Sequence, residues 1–138
     1  MSAPETPAAL QAWIDRSPFH RWLGVVAEAV DPGAGRVTLR LPFRPGLGRS
    51  DAAPDLHGGA IAALIDIAGD YALALGLGGG VPTIDLRIDY LRMARSDLLA
   101  TAEVVRAGRT VGRVDVRVED AEGRLIALGR GTYATRRG

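Results

Sequence analysis

Leu56-His57-Gly58-Gly59-Ala60-Ile61-Ala62-Ala63-Leu64-Ile65-Asp66-Ile67-Ala68-Gly69-Asp70 decides the fold. A glycine pair opens a long, almost wholly apolar segment that carries two carboxylates. Ile61, Leu64, Ile65, Ala68, Ala72 and Leu75 recur at helical spacing, so residues 58 to about 75 are expected to form one helix with a continuous buried stripe. Asp66 and Asp70 fall on the far side, among Ala62, Ala63 and Leu73. That second face is too apolar for water and calls for another subunit or a ligand to cover it. A helix start presents unpaired N–H groups and the positive end of the macrodipole, which suit an anion or a developing oxyanion. A carboxylate two turns further along an apolar helix is costly unless it has a task. Donor and acid on one helix suit acyl chemistry.

The flanking sequence supplies a sheet to bury this helix. Gly76-Leu77-Gly78-Gly79-Gly80 ends it; no strand precedes that run and no helix opens from it, so it is a linker rather than a phosphate-binding loop. Upstream, Leu10, Trp13 and Ile14 predict a short amphipathic helix ending near Arg16, and Phe19 and Trp22 a further turn beyond Ser17-Pro18. Residues 25–30 and 36–41 flank Asp31-Pro32-Gly33-Ala34-Gly35 as a hairpin whose Val37, Leu39 and Leu41 alternate with Thr38 and Arg40. Residues 42–56, broken by Pro42, Pro45 and Pro54, have no periodicity; a loop of this length is more often functional than idle. Residues 83–90, 98–106, 113–119 and 124–133 read as four strands, with Ile84, Leu86, Ile88 and Tyr90 forming the apolar alternation of the first. The order α-β-β-α-β-β-β-β defines an α+β fold: a curved antiparallel sheet around one long central helix, preceded by a short N-terminal helix.

Composition narrows the partners. The 138 residues make one domain spanning 1–138, with residues 1–7 expected to be flexible. A net charge of +1 gives no footing for a nucleic acid or a membrane surface as partner. The basic residues are all arginine, a bias that weakens any single arginine as a phosphate ligand. Absence of cysteine excludes disulfides, thiolate nucleophiles and thiolate metal sites. His20 and His57 have no ligand spacing, so neither a metal nor a cofactor is expected. The N-terminus lacks the basic-then-apolar pattern of a signal peptide, and the apolar run at 60–77 is interrupted by Asp66 and Asp70. It reads as a core helix rather than a membrane span, which leaves the cytoplasm as the default compartment.

With the helix, the wrapping sheet and His57-Gly58-Gly59 in place, the chain resembles the hotdog-fold acyl-CoA thioesterases of the phenylacetate-degradation type, in the 4-hydroxybenzoyl-CoA thioesterase-like superfamily. The resemblance spans residues 19–133. Its pattern is His-Gly-Gly with an acid nine positions after the histidine, met here by His57, Gly58, Gly59 and Asp66. It implies a homodimer joined sheet edge to sheet edge, or a tetramer of such dimers, with active sites at the subunit interface. It also implies that the Gly58 N–H polarises the thioester carbonyl, that Gly59 permits close approach, and that Asp66 of the facing subunit is the nucleophile or general base. Thr83 corresponds to the residue that holds the water, and His57 to a residue that packs the loop. Six positions before the histidine, where the family often has asparagine, this chain has Asp51.

The implied reaction is hydrolysis of an acyl-CoA thioester to free acid and coenzyme A. Asp51, Leu56, Arg92 and Arg109 are the expected substrate-binding residues, the two arginines for the coenzyme phosphates. Asp70, one turn beyond Asp66, is expected in an interface or loop-directed salt bridge. Two alternatives stay open: a non-catalytic acyl-CoA-binding protein of the same fold, and an acyl-thioester dehydratase or hydratase using Asp51 and His57.

Overall fold

The computed structural model, which describes residues 2–136, has eleven elements in regular α or β conformation. They are α1 (Pro7–Ile14), α2 (Pro18–Leu23), β1 (Val26–Asp31), β2 (Arg36–Leu41), β3 (Gly48–Ser50), β4 (Ala53–Leu56), α3 (Gly58–Leu77), β5 (Thr83–Tyr90), β6 (Leu98–Ala107), β7 (Val111–Asp120) and β8 (Leu125–Ala134). Six strands form one antiparallel sheet in the order β1-β2-β6-β7-β8-β5, and β3 pairs with β4 in a separate hairpin. Met1 lies outside the described residues, whereas Pro4 is buried and the Thr6 hydroxyl caps α1 at Ala9 N–H.

The sheet curves because its strands carry extra residues. Register shifts fall at Ala27/Ala29, Val104/Arg106, Val118/Glu119 and Thr83/Asp85, and each sharpens local bend and twist. The concave face closes over α3. Ile61, Leu64, Ile65, Ala68, Ala72 and Leu75, the stripe expected from spacing, join one core with Leu39 and Leu41 of β2, Leu98 and Ala100 of β6, and Val116 and Val118 of β7. By length and composition α3 could cross a membrane, yet here it is the packed centre of the domain. Alternation in β6 is hard to read from sequence because alanines fill its buried positions, Ala100 and Ala102.

Three features differ from the sequence reading. The loop at 42–56 contains a short 3₁₀ turn at Pro45–Leu47 and the β3–β4 hairpin, neither of which has a hydrophobic period to reveal it. Leu73 is not on the open face of α3: it is buried beneath β7, where Gly112 has no side chain to exclude it. Ala62, Ala63, Asp66 and Asp70 do remain only partly covered. Finally, β5 is an edge strand, so its alternation does not bury it; Ile84 is 58% exposed and Tyr90 51%.

Tyr133 locks α3 to β8. Its fully buried ring lies over Gly69 and Gly131, and its hydroxyl donates to the Asp66 carbonyl at 3.0 Å. A Cβ at Gly69 would fall on that hydroxyl. Gly69→Ala is therefore expected to cost about 2 kcal/mol through overpacking. Tyr133→Phe in the same chain should recover part of the loss in denaturant unfolding. Costs that simply add would contradict the shared contact.

Candidate active site

The start of α3 is held by three segments distant in sequence. Leu56 N–H donates to the Ala94 carbonyl and His57 N–H to the Leu47 carbonyl, both at 2.8 Å. Beneath them lies Asp55, only 2% exposed. Its carboxylate accepts from Arg95 Nε at 2.6 Å and from Arg49 Nε and Nη2 at 3.1 and 2.8 Å. One carboxylate thus ties β3, β4 and the β5–β6 loop together immediately before the helix.

His57 is the cap of that helix. Its Nδ1 accepts from Gly59 N–H at 2.7 Å, which places the proton of the neutral ring on Nε2. A Cβ on Gly59 would sit 2.8 Å from the same nitrogen, so glycine is required for the cap to close. The Ala60 N–H donates to the His57 carbonyl, and the Tyr90 hydroxyl donates to the Gly58 carbonyl at 2.9 Å. Among the described residues no group accepts from the Gly58 N–H. Of the amides at this positive helix end, Gly58 is left to polarise an incoming oxygen.

Asp66 lies two turns along. The Thr83 hydroxyl donates to Asp66 Oδ1 at 2.7 Å. Strict alternation would turn Thr83 away from the helix and Ile84 toward it. The register shift between Thr83 and Asp85 reverses this: Thr83 meets the carboxylate and Ile84 is pushed outward. Thr83 is also the cross-strand partner of Tyr133, whose hydroxyl binds the Asp66 main chain. Burial, with the Asp66 charge adding to it, pushes the Tyr133 pKa up, so its hydroxyl stays a donor. Asp70 turns toward the loop after α3 and accepts from Val81 N–H at 2.9 Å.

Gly58 and Asp66 do not converge within one chain. Eight residues of helix separate them by about 12 Å along the axis, too far to act on one carbonyl. Two depressions flank the helix start. One, of about 310 Å³, runs between α2 and α3 past His57 and Gly59 and includes Phe19, Trp22 and Leu47. The other, of about 380 Å³, is lined by Gly58, Leu56, Tyr90, Met93, Arg49 and Arg92. A wider hollow of about 530 Å³ lies on the opposite face of the sheet, among paired charges such as Asp115 and Arg130, remote from both helix carboxylates.

The expected site residues therefore separate into groups. His57, Gly58, Gly59, Leu56 and Arg92 gather at the helix start, while Asp66 and Thr83 meet each other further along. Asp51 is exposed in the β3–β4 turn and lines neither depression. Among the described residues no hydrogen bond joins Asp51 to His57, whose Nδ1 accepts from a backbone amide. Arg109 is in the β6–β7 turn, beside the strand start that covers Leu73, near the other end of α3. Sequence reasoning missed Asp55, Tyr90 and Tyr133. The signal for Asp55 was a carboxylate two residues before the motif with arginines in both neighbouring loops; the tyrosines merely end ordinary strands.

Comparisons with known proteins agree with this architecture. A model of the thioesterase superfamily matches residues 53–127. A Halobacterium salinarum protein carried as a provisional esterase is 39% identical, covering 95% of this chain and 93% of its own. The medium/long-chain acyl-CoA thioesterase YigI of Escherichia coli K12 is 29% identical, covering 89% of this chain and 88% of its own. The crystal structure of zebrafish thioesterase superfamily member 2 superposes with a TM-score of 0.83 at 28% identity, over 95% of this chain and 99% of that one. The long helix and the sheet wrapped around it make this a hotdog-fold protein. The chain belongs to the thioesterase superfamily.

The Asp55 clamp has a pH signature. The Arg95 guanidinium, then that of Arg49, holds its carboxyl below the usual carboxylate range. Its contribution is complete above the free carboxylate value of about 4 and is lost as pH falls through the lower folded value. Asp55→Asn should thus lower Tm at pH 6 to 8, and the gap from the parent should close as the melts approach pH 3. A gap independent of pH would show that the charge is not what the clamp uses.

Proposed function

We propose that the protein hydrolyses acyl-coenzyme A thioesters at a site shared between two copies of the chain. The observation that carries this reading is the Thr83–Asp66 hydrogen bond on a mostly apolar helix whose first amide, at Gly58, is unoccupied among the described residues. The thioester carbonyl accepts from Gly58 N–H of one protomer, and Asp66 of the other faces its carbonyl carbon. Thr83 occupies one oxygen of that carboxylate, leaving the other to take a proton from water. The water oxygen bonds to the carbonyl carbon, negative charge gathers on the carbonyl oxygen against the helix start, and the C–S bond breaks. The coenzyme thiolate leaves and takes up a proton, giving free acid and thiol. Direct attack by Asp66 would use the same placement. Thioesters are weakly delocalised and have a good leaving group, so one donor and one carboxylate suffice.

Two observations support a paired assembly. Gly58 and Asp66, about 12 Å apart along one helix, can act on one carbonyl only when they come from two chains. The unpaired edge of β5 carries exposed Ile84 and Tyr90, followed by exposed Leu91 and Met93, an apolar border suited to a second sheet edge. Coenzyme phosphates would meet Arg92 and Arg49 beside Gly58; Arg109 would serve only if a partner brings its turn to the site. The compartment that fits this substrate is the cytoplasm.

Asp66→Asn is expected to lower kcat at least about 100-fold, the scale of a lost general base. Circular dichroism and light scattering should stay those of the parent. Parent-like turnover would remove Asp66 from the chemistry. The parent should scatter as a dimer or larger at micromolar concentration, and a monomer that still cleaves acyl-CoA would refute the shared site.

A further inference from the structure

The two depressions beside the helix start differ in chemistry, and the difference matches the two arms of an acyl-CoA. On the Gly58 side two cations, Arg49 and Arg92, stand among Leu56, Ile61, Leu91 and Met93. On the Gly59 side the lining is Phe19, Trp22, Leu47, Ala60 and Ala63, with His57 as the one ionisable group. We propose that this second groove, between α2 and the first turns of α3, is the acyl subsite, and that Trp22 and Phe19 set the acyl length it accepts. The assignment rests on reading the site as an acyl-CoA hydrolase.

The aromatic wall is held in place although it is exposed. Trp22 is 64% exposed and Phe19 49%, and their rings stack 6.1 Å apart at 25°. From behind, the Arg44 guanidinium lies 5.3 Å from the centre of the Trp22 ring. Its Nη1 and Nη2 donate to the Leu23 and Trp22 carbonyls at 2.7 Å each, closing the end of α2. Gly24, with φ of 86°, turns the chain away directly afterwards. An exposed indole anchored at ring and backbone offers apolar surface already fixed in one geometry, so little ordering is needed when a chain of methylenes lies against it. Opposite it, Ala60 and Ala63 keep the helix side low. Gly58 lines the arginine-bearing hollow and its chain neighbours His57 and Gly59 line the aromatic groove, so a carbonyl at Gly58 N–H lies next to both. The anionic arm is recognised by the first and the hydrocarbon arm by the second.

The test compares kcat/KM for octanoyl-CoA with that for acetyl-CoA. Trp22→Ala and Phe19→Ala should each lower the octanoyl-to-acetyl ratio about tenfold, the scale of a lost apolar wall. Ala63→Phe, which fills the groove from the helix side, should move the preferred acyl group to a shorter length. Leu128→Ala, on the outer face of the sheet, should keep the parent ratio. If the parent is active but the ratio stays fixed in all three groove variants, the subsite assignment fails alone. If the parent cleaves no acyl-CoA of any length, the hydrolase reading fails and the subsite with it. Dissociation of the assembly in Trp22→Ala, seen by light scattering, would make the wall an intersubunit surface and overturn the proposal.

Discussion

One constraint organises the domain: a twenty-residue apolar helix has to be removed from water along most of its length. Each buried leucine or isoleucine of α3 contributes about 1.5–3 kcal/mol, and neither α1 nor α2 is long enough to cover them. A sheet bent by four register shifts does so instead. Tyr133 fixes the helix against that sheet at Gly69, three residues beyond Asp66. The position of the carboxylate is therefore a consequence of core packing, not of a flexible loop.

The two ends of the polar chemistry are supported differently. At the helix start, main-chain hydrogen bonds to Ala94 and Leu47, together with the Asp55 ion pairs, hold three connecting segments in one place. His57 satisfies the Gly59 amide and leaves that of Gly58 open. At Asp66 the support comes from strands: β5 brings Thr83 and β8 brings Tyr133, and those two residues are paired across the sheet. Backbone amides and strand-borne hydroxyls are stiff donors, which suits a reaction whose charge development must be met without rearrangement.

Charge is arranged sparingly around this site. Asp55 is consumed by its arginines and Asp70 by the Val81 amide, so neither competes with Asp66 for a substrate. The outer face of the sheet carries paired charges, including the bidentate Arg130–Asp115 contact, that keep it wet. The apolar border of β5 and the aromatic wall of α2 are exposed apolar surfaces beside the site.

Sequence by itself determined the helix, its buried stripe, the hairpin at β1–β2 and the four later strands. All of these follow from periodicity and from glycine, which act over a few neighbouring residues. Tertiary structure decided what local pattern does not encode. A register shift turned Thr83 inward against its own alternation, Gly112 let Leu73 under β7, and Asp55 met Arg49 and Arg95 across segments with no hydrophobic period. Side-chain direction at a bulge and ion pairing between loops depend on which strands lie side by side. That is settled only when the sheet closes on its helix.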